Sequence, residues 1–118
     1  MIQPLIWERA RFPITQGRGD ETRQVEVSGW VDQQKLWGIH RVGDAYVVTQ
    51  LPSGQLLTRF GGGADKRATA RAFCAAINGL IDWRGSLDDI GRDAALAERL
   101  HEIAVGLTGD VPQRRTLH

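Results

Sequence analysis

The side chains that could do chemistry in this sequence are few and widely separated. The histidines are His40, His101 and His118, and the single cysteine is Cys74. No two of these four residues have the short spacing at which histidine and cysteine bind a metal ion. Cys74 lies among alanines, where a small buried side chain that fills the core is the usual role. We therefore expect no metal site and no cofactor.

The acidic and glycine-rich stretches form no catalytic motif either. Asp88 and Asp89 are neighbours at a predicted helix start, which favours a helix cap over a pair of acid–base catalysts. Three glycines at 61–63 precede another helix, but the G-x-x-x-x-G-K-S/T pattern of a nucleotide-binding loop is missing. Asp65 would also place a negative charge where a phosphate would bind. The sequence therefore predicts no catalytic residues and a protein that is not an enzyme.

Composition is typical of a globular protein of one domain. The 118 residues are 42% hydrophobic and 25% charged, and the formal net charge is +1. Acidic and basic residues are mixed, which weakens the case for a dedicated nucleic-acid binder. No apolar run reaches the roughly 18 residues of a membrane span, and the start has no secretory signal pattern. We expect a cytoplasmic protein with a single α+β domain over residues 1–107, a flexible tail over 108–118 and no membrane partner.

Alternating apolar residues and turn signals predict a sheet followed by helices. The dipeptide Gly43-Asp44 and the tripeptide at 52–54 are typical hairpin turns, because glycine supplies the torsion angles that such turns need. The predicted fold is an antiparallel sheet of about four strands, at residues 24–31, 35–42, 45–51 and 55–60, followed by two helices at 65–78 and 92–105. A short extended segment is expected near residues 5–9.

The lengths of the turns predict which residues share a face of the sheet. Two residues are expected in the second turn and three in each of the others. These lengths place Val27 opposite Ile39 and Leu56 opposite Gln50. One face then forms the core beneath the first helix, and it carries Val25, Val27, Val31, Trp37, Ile39, Tyr46, Val48, Leu56 and Phe60.

The opposite face of the predicted sheet is half apolar, which is unusual for a surface that contacts only water. Either the second helix or the N-terminal segment covers part of it, or a partner binds there. The candidate binding residues on this face are Trp30, Leu36, His40, Val47, Thr49, Leu57 and Arg59. A second candidate is a basic patch of Lys66, Arg67 and Arg71 on the first helix, for which a solvated helix face is the simpler interpretation.

The first function that these features suggest is a non-catalytic binding module that docks on another protein. The half-apolar sheet face, the four tryptophans and the near-neutral charge favour it. Small single-domain proteins of this kind are common among the inhibitors and accessory proteins of phages and plasmids, including anti-CRISPR proteins. This is an analogy of size and style, since the sequence carries no motif of that class. The oligomeric state stays open.

The second function is DNA binding. Trp37, residues 46–48, the turn at 52–54, Phe60 and the alanine-rich helix follow one another as three strands and a helix. This order resembles the N-terminal arm-binding domains of tyrosine recombinases and the plant AP2-type domains, over less than half of the chain. The resemblance implies a sheet that reads the major groove of DNA. Those sheets are rich in Arg and Lys, whereas this one offers mainly Arg59 and His40, so the resemblance supports the fold more than the function.

Overall fold

An antiparallel sheet carries a pair of helices on one of its faces. The computed structural model describes residues 5–17, 19–62, 66–84 and 93–108. The elements are β1 (Trp7–Gln16), β2 (Arg23–Asp32), β3 (Trp37–Val42), β4 (Ala45–Gln50), β5 (Gln55–Phe60), α1 (Lys66–Ile77) and α2 (Ala94–Thr108). The five strands are hydrogen-bonded in chain order. The predicted α+β class is confirmed, with five strands where about four were expected.

The additional strand is β1, which replaces the short extended segment expected near residues 5–9. It pairs with β2 along ten residues, from Trp7 opposite Asp32 to Gln16 opposite Arg23. Pro13 lies inside it, which is compatible with an edge strand because proline has no N–H to donate to a neighbour. β1 and β2 therefore form a long hairpin.

The turn between β3 and β4 produces the predicted register. Ile39 pairs with Val48 and Val42 with Ala45, so that two residues form the loop. Gly43, the first of them, has a φ of 63°. Glycine adopts this left-handed conformation without a steric penalty, and a two-residue hairpin loop requires it at this position.

The register of β4 with β5 is as predicted near Phe60 and different near the turn. Val48 pairs with Thr58, but a bulge follows, and Thr49 then faces Leu56 while Gln50 faces Gln55. The predicted pairing of Gln50 with Leu56 is therefore wrong. Leu57 is the extra residue of the bulge and packs against the helix-side core. Leu56 belongs to the other face, where 55% of its surface is exposed.

The predicted register of β2 with β3 is also wrong. Val31 pairs with Gly38, so the loop has four residues, 33–36, where three were expected. An odd shift in register moves every side chain of a strand to the opposite face. Trp30 therefore lies on the helix side of the sheet, opposite Ile39. The three valines at 25, 27 and 31 lie on the other side, and not in the core beneath α1.

Asp32 is the physical reason for the longer loop. Its buried carboxylate accepts hydrogen bonds from the backbone N–H groups of Gln34 (3.0 Å), Leu36 (2.9 Å) and Trp37 (2.7 Å). The backbone carbonyl of Asp32 also accepts the N–H of Lys35, whose φ is 60°. The Asp32 side chain thus satisfies three backbone N–H groups of the four-residue loop and the start of β3.

The main core lies between the sheet and α1. It contains five of the predicted residues, Trp37, Ile39, Tyr46, Val48 and Phe60, together with Leu36, Ala70, Phe73, Cys74, Ile77 and Trp83. The rings of Trp37 and Trp83 meet edge to face at 5.1 Å between centroids. The indole N–H of Trp83 donates to the carbonyl of Ile77 at 2.7 Å, which ties the segment after α1 to the helix end. α2 packs against α1, and its Leu96, Leu100 and Ile103 contact this core.

The opposite face of the sheet is covered by the β1–β2 hairpin, one of the alternatives that the sequence left open. The N–H of Thr15 donates to the carbonyl of Gly54 at 2.7 Å, so the end of β1 reaches the β4–β5 turn. Phe12 lies over Gly38 and contacts the ring of His40 at 6.0 Å between centroids. Phe12, Ile14 and Val31 thus form a second, smaller core.

Three sequence predictions fall outside the described residues. They are the placement of Asp65 at the start of the first helix, the cap at Asp88 and Asp89, and the flexible tail predicted over 108–118, except for its first residue. Thr108 itself is the last residue of α2. The predicted helix at 65–78 is observed as Lys66–Ile77, and the one at 92–105 is observed as Ala94–Thr108.

Candidate functional site

The seven residues predicted to form one binding face are divided between two sides of the sheet. His40, Val47, Thr49 and Arg59 lie together, because His40 pairs with Val47 and Val47 pairs with Arg59. The first three are buried beneath β1 and do not form an open surface. Burial lowers the pKa of His40 below its usual value, because the charged imidazolium is poorly solvated there. Arg59 is exposed at the edge.

The other three predicted residues, Trp30, Leu36 and Leu57, belong to the helix side. Leu36 is part of the main core, and Leu57 is half-buried against it. Their expected position on the second face is wrong, for the two register reasons given above. Trp30 is half-buried at the border of the core, where its ring lies 6.4 Å from that of Tyr46.

Trp30 is the centre of a cluster that we call the arginine–tryptophan patch, formed by Trp7, Arg9, Trp30, Arg67 and Arg71. The guanidinium carbons of Arg9 and Arg67 lie 4.8 Å and 4.7 Å from the centroid of the Trp30 ring. That of Arg71 lies 5.9 Å from Trp30 and 6.0 Å from Trp7. Three cations therefore surround two aromatic rings.

The fold brings this patch together from three elements. Arg9 of β1 lies directly opposite Trp30 of β2 in the antiparallel ladder. Arg67 and Arg71 are four residues apart on α1, and this spacing puts them on one face of the helix. The same helix face borders the ring of Trp30, while Phe73 and Ile77 hold α1 on the sheet. The patch thus depends on the packing of α1 over the β1–β2 hairpin.

The patch carries positive charge that no described carboxylate pairs with. Among the described residues, no carboxylate forms an ion pair with Arg9, Arg67 or Arg71. Burial and the neighbouring charge of Arg67 lower the pKa of Arg71. The Nε of Arg71 is buried and has no hydrogen-bond partner in that part of the chain. The three guanidinium groups repel one another, and each cation–π contact offsets this repulsion by about 0.5–1 kcal/mol at exposed positions.

Two other basic residues are paired with carboxylates. Arg11, two residues after Arg9 on β1, forms an ion pair with Glu26 at 2.8 Å. Lys35 forms one with Glu8 at 3.0 Å. Within the described part of the chain, Arg9 therefore lacks the carboxylate partner that Arg11 has on the same face of the strand.

Sequence reasoning found part of this patch and missed the rest. Arg67 and Arg71 were predicted to be in a basic patch, but Lys66 makes no ring contact and lies beside Gly62. Arg9 and Trp7 were missed because the extended segment near residues 5–9 was not predicted to pair with β2. The signal available in the sequence was the spacing of Trp7 and Arg9, since residues two apart in a strand share a face.

The described residues hold little other chemistry. They contain no group of three or more His, Cys, Asp or Glu side chains placed to hold a metal ion. Burial and the charge of Asp32 raise the pKa of the Cys74 thiol well above its usual value, which makes Cys74 a poor nucleophile. In the same part of the chain, no helix is both long and apolar enough to cross a membrane. Comparisons with protein-family models, curated proteins and solved structures found no match to this chain.

Proposed function

We propose that this protein is a non-catalytic binding module that docks on another protein through the arginine–tryptophan patch. The observation that supports it is the group of three guanidinium groups around Trp30 with no described carboxylate to neutralise them. Arginine and tryptophan are the side chains most enriched among residues that dominate binding energy at protein interfaces. The partner surface that fits is acidic, with one or two carboxylates that accept hydrogen bonds from the guanidinium groups.

The shape of the patch favours an acidic protein surface over a long polyanion. All three guanidinium groups lie within about 6 Å of one ring, so they converge on a small area. Nucleic-acid backbones are usually bound by a stripe of cations that follows many phosphates. On β1 the charge of the next arginine, Arg11, is already paired with Glu26. A compact anionic feature, such as a pair of acidic side chains, matches this arrangement better.

The proposed setting is the cytoplasm, and the proposed role is that of an inhibitor or accessory protein of a phage or plasmid. A small domain that blocks a larger protein needs one anchored contact surface and no active site of its own. The single cysteine, Cys74, is buried in the core, which is compatible with a reducing compartment. This role rests on analogy of size with anti-CRISPR proteins and not on a shared motif.

DNA binding is the second candidate, because the same three arginines could contact phosphates. The sheet-in-groove arrangement has less support, since residues 37–40 of β3 and all of β4 are buried between α1 and the β1–β2 hairpin. A DNA complex would instead use the patch at the side of α1. About three phosphate contacts would then give a slope near −3 in log K against log salt concentration.

A binding comparison with charge-reversed variants tests the protein-binding proposal. Proteins captured by the wild type are purified, and their dissociation constants are measured with the wild type, Arg67→Glu and Arg23→Glu. Arg23 is an exposed arginine on β2, seven residues before Trp30, and it serves as the matched control. We expect Arg67→Glu to weaken binding at least about tenfold, since a charge that repels the partner costs more than about 1.4 kcal/mol. Arg23→Glu should change it less than about twofold.

The same series distinguishes the two candidates. A duplex-DNA titration at two salt concentrations accompanies the protein titration. Strong, salt-dependent DNA binding that is lost in Arg67→Glu, without any protein partner, would replace the first proposal by the second. Equal protein binding by the wild type and Arg67→Glu would contradict a docking role for the patch, provided that both variants have the wild-type melting temperature.

A further inference from the structure

A cavity lies on the other side of the sheet from the arginine–tryptophan patch. Its volume is about 220 Å³, and it opens between the end of β1 and the strands β3 to β5. The walls include Ile14, His40, Val42, Val47, Leu56 and Arg59. The hydrogen bond from Thr15 to Gly54 closes one end of it. The cavity exists because the β1–β2 hairpin curls over the sheet but does not fill the space completely.

The lining is divided into an apolar wall and a polar group. Ile14 and Val47 are buried in the interior, whereas Val42 and Leu56 stand at the rim with 51% and 55% of their surfaces exposed. Two large apolar side chains that remain exposed beside one cavity are unusual in a solvated surface. A ligand with an apolar part would cover both of them.

The polar group of the cavity is suited to an anion. Arg59 is exposed at the rim, and no carboxylate of the described residues pairs with it. His40 is 6% exposed, and its Nδ1 is buried with no hydrogen-bond partner. An N–H without an acceptor is costlier than a free lone pair, so the proton of the neutral ring belongs on Nε2. The hydroxyl-bearing Thr49 lines the same wall.

We propose that this cavity binds a small carboxylic acid, with the carboxylate at Arg59 and an apolar tail against Val42, Val47 and Leu56. The volume of about 220 Å³ lies between the ~150 Å³ of a cavity that admits benzene and the ~300 Å³ at which drug-sized pockets begin. A tail of roughly four to eight carbons fits this range. The lowered pKa of His40 agrees with a ring that is neutral at pH 7 and does not compete with Arg59 for the carboxylate.

The test is a titration of the whole protein with hexanoate and with hexanamide, its uncharged analogue, followed by NMR. We expect saturable shifts of the Val47 and Leu56 methyl signals with a dissociation constant of about 1 mM or lower for hexanoate. Hexanamide should bind at least about fivefold more weakly, because it offers no charge to Arg59.

Three variants complete the experiment. Arg59→Gln should weaken hexanoate about fivefold or more and leave hexanamide nearly unchanged, whereas Val42→Trp should block the rim and abolish both. Arg41→Gln removes an exposed arginine from the same strand as His40 and should leave both affinities as in the wild type. The absence of saturable shifts with hexanoate up to about ten times the expected constant would overturn the proposal. So would equal loss of affinity in Arg59→Gln and Arg41→Gln.

Discussion

Asp32 is the residue on which the arrangement of the hairpins most depends. It is fully buried, and its carboxylate accepts three backbone N–H groups of the β2–β3 loop and the start of β3. Hydrogen bonds to a charged acceptor contribute more than neutral ones, at about 1.5–3 kcal/mol each. The carboxylate therefore fixes the four-residue loop, and with it the face on which Trp30 lies.

Replacing Asp32 by Asn should lower the free energy of unfolding by about 1–3 kcal/mol, because the amide keeps one acceptor oxygen and turns a donor toward a backbone N–H. Urea denaturation followed by fluorescence measures the change. Asp44→Asn is the control, since Asp44 lies exposed in the β3–β4 turn and its replacement should stay within about 0.5 kcal/mol of the wild type. If the two variants were equally stable, the carboxylate of Asp32 would not hold the loop.

At the scale of secondary-structure elements, the curl of β1 over the sheet depends on a glycine. A Cβ atom at Gly38 would lie 2.7 Å and 2.8 Å from two carbons of the Phe12 ring and 3.0 Å from a methyl carbon of Leu51. Residue 38 of β3 must therefore be glycine for Phe12 to approach the sheet this closely. This close approach also places Phe12 against His40, beside the cavity.

Gly38→Ala should destabilise the protein by about 1–3 kcal/mol, because Phe12 has to move away from the sheet. Gly79→Ala, at a position where an added Cβ meets nothing within 4 Å, should change stability by less than about 0.5 kcal/mol. Thermal or urea unfolding measures both. In a double-mutant cycle, Phe12→Leu should reduce the cost of Gly38→Ala, and strictly additive effects would contradict the contact.

The strands and helices also show which features of the fold can be predicted from the sequence. The glycine-containing turn at 43–44 predicted the β3–β4 register correctly, because a two-residue loop permits only one pairing of the strands. The bulge at Leu57 and the loop held by Asp32 shift the other two registers, and both depend on hydrogen bonds that the residue pattern does not display. The helices and the core residues of β3 and β4 were predictable from periodicity, whereas the valines of β2 and Leu56 lie on the face opposite to the predicted one. The patch was not predictable, since it needs the position of α1 relative to β1.

On the scale of the whole molecule, the two candidate surfaces lie on opposite sides of the sheet. The arginine–tryptophan patch is formed by β1, β2 and α1, and the cavity by β1 and the strands β3 to β5. The net charge of +1 does not reveal this organisation, because it sums charges over the whole chain and does not show where they lie. Binding at one surface can therefore be tested without disturbing the other.

If the patch is a docking site for acidic groups of a protein, it should bind an acidic peptide through Arg9. The most direct test compares Arg9→Gln with Arg11→Gln by titrating each variant with a short glutamate-rich peptide at low salt. The two arginines lie on the same face of β1, and only Arg11 has a carboxylate partner, Glu26. We expect Arg9→Gln to weaken peptide binding about fivefold or more and Arg11→Gln to change it less than about twofold. Equal affinities of the two variants, with both folded as the wild type, would contradict the claim.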